Sequence, residues 1–270
     1  MKKTNGFYFS FLTLAAITSC FLAYQYQQKN LLPCIEKKNK KNFTDQYSQK
    51  LTQKENVVWE LITTHTGVTQ EQCLKNHQSH LQQETTMYKK SNKQQLKNAK
   101  KLSPKTHQLV EVVLQDFNIN PQSIDIIPFK GEGSPAAADD WTLFIDEQDL
   151  LSYPLEAQYF ILGHELIHIQ SQDHSIRCAL HRLVPNKNNK NIQSALDSLD
   201  HLQETRADTL AMLKGDKYIQ GSISFFEILE KREGRNFEIA SHPKTSDRIM
   251  LAKNIYSLNN DVSIKNNALA

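Results

Sequence analysis

Residues 154–170, PLEAQYFILGHELIHIQ, decide the fold. Pro154 suits the first turn of a helix, where its missing N–H is not needed. The run that follows is apolar around most of its circumference, through Phe160, Ile161, Leu162, Leu166, Ile167 and Ile169. A buried helix reaching about Gln170 is therefore expected. His164, Glu165 and His168 interrupt the apolar run. Four residues apart, the two histidines emerge about 40° from one another and one turn apart, so both imidazoles reach a single metal ion. Glu165 sits beside them, placed to accept a proton from water without being a ligand. Polar groups buried without partners are unfavourable, so the trio calls for a metal and a third ligand.

Downstream candidates for that ligand are His174, His181, His201, Glu204, Asp208 and His242. A mononuclear catalytic zinc takes three protein ligands and leaves one position open. In the stretch 196–211, LDSLDHLQETRADTLA, Glu204 and Asp208 stand one helical turn apart, next to the small residues Ala207 and Ala211 that let two helices approach closely. This helix is expected from near Ile192 through Leu213. Glu204 is the preferred third ligand and His201 its rival. Asp208 could accept the outer ring N–H of a ligating histidine and fix its tautomer. Arg206 is expected on the surface.

On the N-terminal side, Leu109, Val110, Val113, Leu114 and Phe117 repeat with helical spacing up to Asn118 and Pro121. Ile124–Phe129 reads as a strand, and Gly131, Gly133 and Pro135 mark a turn. A second strand is expected over Trp141–Ile145, with Trp141, Leu143 and Ile145 on one face. Short helices over Phe225–Lys231 and Thr245–Tyr256 complete an α+β, mainly helical fold with a small β-sheet beside the histidine helix. Four regions follow: a leader over 1–24, a polar helical extension over 25–103, a metal-site domain over 104–258, and a tail over 259–270. Leu81–Lys101 has few apolar residues and reads as a solvated helix or connector. PNKNNKN, residues 185–191, reads as a polar loop.

Residues 7–24, FYFSFLTLAAITSCFLAY, carry no charge and follow Lys2 and Lys3, the layout of an export signal or a single membrane anchor. Ile17-Thr18-Ser19-Cys20 has the form of a bacterial lipobox, with Cys20 the residue that would be lipidated. An uncleaved anchor is the competing reading. Lys29, Lys37, Lys38, Lys40 and Lys41 outnumber the charges ahead of the apolar run, which for an uncleaved helix favours a cytoplasmic domain. A processed lipoprotein instead faces the bacterial cell envelope or periplasm. Membrane attachment is expected in both of these readings, and ordinary cleavage of the signal is the third.

With 32 basic and 29 acidic side chains, the chain lacks the basic excess that phosphate backbones select, and nucleic acid is not an expected partner. The four cysteines, Cys20, Cys34, Cys73 and Cys178, form no Cys-x-x-Cys pair, so a thiolate zinc site is disfavoured. Cys34–Cys73 is the candidate bridge in an oxidising compartment, and free thiols are the alternative.

Glu204-Thr-Arg-Ala-Asp208 resembles the Glu-x-x-Ala-Asp element of the HtpX and CAAX prenyl endopeptidase family of gluzincins. His242-Pro-Lys-Thr-Ser-Asp-Arg248 resembles that family's His-Pro-x-x-x-x-Arg segment. With the His-Glu-x-x-His helix, the elements fall in family order over roughly Ala136–Tyr256, in the layout of single-anchor or lipoprotein members. The resemblance implies one Zn2+ per chain, held by His164, His168 and Glu204, with Glu165 as general base. It further implies that His242 stabilises an oxyanion and that Arg248 braces the site by pairing with Asp208. The family's Asn-Ala pair is replaced here by Pro135-Ala136-Ala137-Ala138. Trp141–Ile145 would be the edge strand that aligns an extended peptide.

The expected activity is zinc-dependent hydrolysis of peptide bonds in proteins or peptides near a membrane. The alternative is a catalytically silent zinc-binding scaffold or binding protein attached to the membrane.

Overall fold

The computed structural model describes residues 40–77, 101–130, 134–184, 189–234 and 242–267. Cys20, Cys34, the 1–24 leader, most of Leu81–Lys101 and residues 185–188 of the polar loop lie outside them. Among the described residues, no helix is long and apolar enough to cross a membrane.

Helix α1, Lys40–Thr66, is followed by α2 over residues 70–77, α3, Pro104–Asp116, and a 3-10 turn, Pro121–Ser123. Next come β1, Asp125–Pro128, β2, Ala136–Ala138, and β3, Thr142–Ile145. The chain continues through α4, Glu147–Leu150, α5, Leu155–Ser171, α6, Asp173–Leu183, and α7, Lys190–Met212. It ends with α8, Asp216–Glu233, and α9, Thr245–Asn267. The fold is thus mostly helical with one three-stranded sheet.

Local sequence explains most boundaries. Ser103 caps α3 by accepting the Thr106 N–H, and Pro104 follows at a position that needs no donor. Beyond α3, Asn118 takes φ 55°, a left-handed conformation asparagine tolerates. Pro154 caps α5 from outside the helix, one residue earlier than its expected place in the first turn. Between α5 and α6 the break is a single residue, Gln172, at φ 56°.

Helix α5 is the hub, packed against α3, α7, α8 and β2. Its crossing with α8 is a backbone contact, because a Cβ at Gly221 would stand 1.9 Å from the Glu156 carbonyl oxygen. Gly163, on α5, faces the Phe117 and Tyr218 rings, which pack edge to face at 5.5 Å.

Several expectations need correction. The sheet order is β1-β3-β2, with β1 parallel and β2 antiparallel to β3. Trp141–Ile145 therefore supplies the central strand, and the strand beside α5 is β2. An alanine run has low strand propensity, but small side chains let β2 lie close to the helix. Trp141 is 39 % exposed and does not join Leu143 and Ile145 inside. It belongs to a turn in which the Asp139 carboxylate accepts the Trp141 and Thr142 N–H groups at 3.3 and 2.8 Å.

Helix α1, assigned by sequence to a separate extension, packs on α7 through Tyr47, Leu51, Val58, Trp59 and Ile62 and belongs to the same compact unit as the rest. The expected 225–231 and 245–256 helices are longer, and α9 runs through most of the presumed tail, to Asn267. Cys73 is buried with a free thiol, which burial pushes up to about 11.

Candidate metal centre

Helix α5 brings His164 and His168 to one face, where the rings meet edge to face at 4.7 Å between centroids. The Nε2 atoms lie 3.0 Å apart. Helix α7 crosses α5 and projects Glu204 between them, with Oε2 3.2 Å from His164 Nε2 and Oε1 3.4 Å from His168 Nε2. All three side chains are buried. Among the described residues they form the group of three whose donor atoms lie within 4.8 Å of one another and could hold a metal ion. His174, His181 and the rival ligand His201 lie outside that group.

The outer nitrogens show what the inner ones must do. His164 Nδ1 donates to Asp208 Oδ1 at 2.9 Å, and His168 Nδ1 donates to Asp173 Oδ2 at 2.8 Å. With the ring protons committed outward, both Nε2 lone pairs converge, together with the Glu204 carboxylate, on one point. Three acceptors facing one another in a buried pocket repel unless a cation lies among them. Ligand atoms about 2.0–2.1 Å from a tetrahedral ion stand about 3.3–3.4 Å apart, close to the observed spacings. The residues fit a divalent metal ion.

Protonation preferences agree. Burial raises the Glu204 carboxyl, but its bonds to His164 and His168 outweigh that and hold it well below the usual range. Burial lowers His168, yet Asp173 and Glu204 lift it to about 10, so the metal-free pocket gathers a proton where a cation belongs. Glu165, half-buried beside the histidines, is raised mainly by desolvation.

Asp208 is held in turn by Arg248, whose Nε and Nη2 donate to Oδ2 and Oδ1 at 2.7 and 2.8 Å in a two-pronged pair. The Arg248 guanidinium also stacks 4.4 Å over the Phe226 ring. His242 Nε2 lies 3.1 Å from Glu204 Oε2, and burial, opposed by Glu204 and assisted by Arg248 and His164, lowers its pKa to about 4. Sequence reasoning missed Asp173, and it misplaced Arg206. That residue is not a surface group: its Nη2 donates to Asp173, and its Nη1 donates to Glu55 of α1 at 2.6 Å.

A cleft of about 400 Å³ opens onto this group. Its polar lining includes His164, Glu165, His242, Arg248, Arg232 and Glu233, and its apolar lining Tyr153, Phe160, Phe225 and Leu229. Glu165 thus faces open space next to His164, His168 and Glu204. No family model, curated protein or solved structure matches this chain.

Proposed function

We propose that the chain is a zinc-dependent metallopeptidase of the gluzincin type, with the HtpX-like site its sequence resembles, acting on proteins or peptides close to a membrane. The convergence of His164, His168 and Glu204 carries this reading, because it stands beside a carboxylate, Glu165, that faces a cleft of about 400 Å³. A silent metal-binding scaffold has no use for such a carboxylate.

Zinc, when bound, supplies Lewis acidity toward water and a peptide carbonyl. Glu165 takes a proton from the attacking water and returns it to the leaving amine. His242, neutral at physiological pH, donates to the oxygen on which negative charge develops. Asp208 and Asp173 keep both ring protons on Nδ1, leaving each Nε2 as a ligand. The peptide lies along β2, since β3 already has a strand on each side.

Replacing Glu165 by Gln should leave stoichiometric zinc in the purified protein, by elemental analysis, and abolish chelator-sensitive cleavage of casein and peptide libraries. Retained cleavage in that variant removes Glu165 from the mechanism, and wild-type protein that binds zinc without cleaving anything supports the scaffold.

A further inference from the structure

Both histidines are backed in the same way. His164 leans on Asp208, which is clamped by Arg248. His168 leans on Asp173, whose other oxygen is held by Arg206. The second support has one more link, since Arg206 also grips Glu55 at 2.6 Å, and Glu55 belongs to α1.

We propose that Arg206 and Glu55 are positioning residues of the metal centre, and that α1 is thereby one of its working parts. The proposal rests on the metallopeptidase reading only in requiring that the centre bind a metal. Asp173 is fully buried, and the Arg206 and Glu55 side chains are each only 16 % exposed, so water neither replaces nor strongly screens these contacts. A guanidinium has the planar fork to span two carboxylates from different helices, which an ammonium cannot match. With Oδ1 fixed by Arg206, the Asp173 carboxylate can turn only one oxygen toward His168, and the imidazole plane is set.

Geometry on α7 makes the arrangement economical. Glu204 and Asp208 project toward α5, while Arg206, two residues from each, points round the helix to α1 and the start of α6. Glu55 lies on the α1 face that packs on α7, between Leu51 and Val58. Displacing α1 therefore releases Arg206, and with it the hydrogen bond that orients His168.

The test uses the full chain, with zinc affinity measured by competition against a chromophoric chelator and the visible spectrum of the cobalt(II)-loaded protein as a readout of ligand geometry. Arg206→Met should weaken zinc binding about 10–100-fold, the range for partners of ligating histidines, and should alter the cobalt spectrum. Glu55→Gln should shift both in the same direction by less, and Arg206→Lys should recover only part of the loss. Val58→Ala, which loosens the same α1–α7 contact without touching the relay, should lower the melting temperature and leave affinity and spectrum unchanged. If Arg206→Met does not fold, the near-isosteric Glu55→Gln decides alone. Wild-type affinity and spectrum in both variants overturn the proposal while the metal centre stands. A wild-type chain that binds neither zinc nor cobalt overturns both.

Discussion

Replacing Asp208 by Asn changes one atom and removes the anion on which three donors converge. Oδ1 receives His164 Nδ1 at 2.9 Å and Arg248 Nη2 at 2.8 Å, and Oδ2 receives Arg248 Nε at 2.7 Å. An amide satisfies one oxygen's partners and turns an NH2 toward the donor at the other. The buried Arg248 charge is then left without its counter-ion, a change of about 3–5 kcal/mol. At about 2–4 °C per kcal/mol for a chain of this size, the metal-free protein should melt about 6–20 °C lower. Zinc affinity should fall about 10–100-fold. Calorimetry of the metal-free protein and chelator competition read the two effects separately. A melting temperature within about 2 °C of wild type, with unchanged affinity, would refute the idea that this carboxylate organises the site.

Gly221→Ala puts a methyl group into the Glu156 carbonyl, so α5 and α8 must separate; a loss of at least about 1–3 kcal/mol is expected in denaturant titration. Lys54 lies within α1 with Nζ buried and without a hydrogen-bond partner among the described residues, and burial lowers its pKa to about 8. The unfolded chain then holds more protons than the folded one between about pH 8 and 10.5, so this residue's destabilisation is largest below pH 8 and fades toward pH 10.5. Lys54→Met should accordingly raise the melting temperature at pH 7 and lose that advantage by about pH 10.5. The aromatic lining of the cleft, Tyr153, Phe160 and Phe225, predicts that peptides with a bulky apolar residue beside the scissile bond outrun those with Asp there by about tenfold or more in kcat/KM. Phe225→Ala should shrink that ratio, and an unchanged ratio would assign the preference to other residues.

What could be read in the chain, and what could not, follows from the range of each signal. His164 and His168 share a face because a helix repeats every 3.6 residues, and the same rule pairs Glu204 with Asp208; such facts are local. The crossing of α5 and α7 that brings the two pairs together has the buried Ala207 beside Asp208, a hint the sequence carried, whereas Gly221, which lets α8 approach α5, carried none. Asp173 was hidden by the break at Gln172. Five residues on in a continuous helix, it would point about 140° away from His168, and a left-handed glutamine has no sequence signature. The Glu55–Arg206 pair joins residues 151 positions apart, which no periodicity reports. Strand order was equally out of reach, because three short strands look alike until their neighbours are known.

The five residues Glu204-Thr-Arg-Ala-Asp208 hold a carboxylate of the group that could bind a metal, the Arg that locks one histidine's partner and the Asp that locks the other. A single helical turn thus works as a template whose dimensions cannot drift. This makes the feature usable as a search pattern: an Asp five residues after the second histidine should occur together with an Arg midway between Glu and Asp, since without that Arg the buried carboxylate loses its cation. Chains that carry one half of that linked pattern without the other would need a different device for holding the second imidazole.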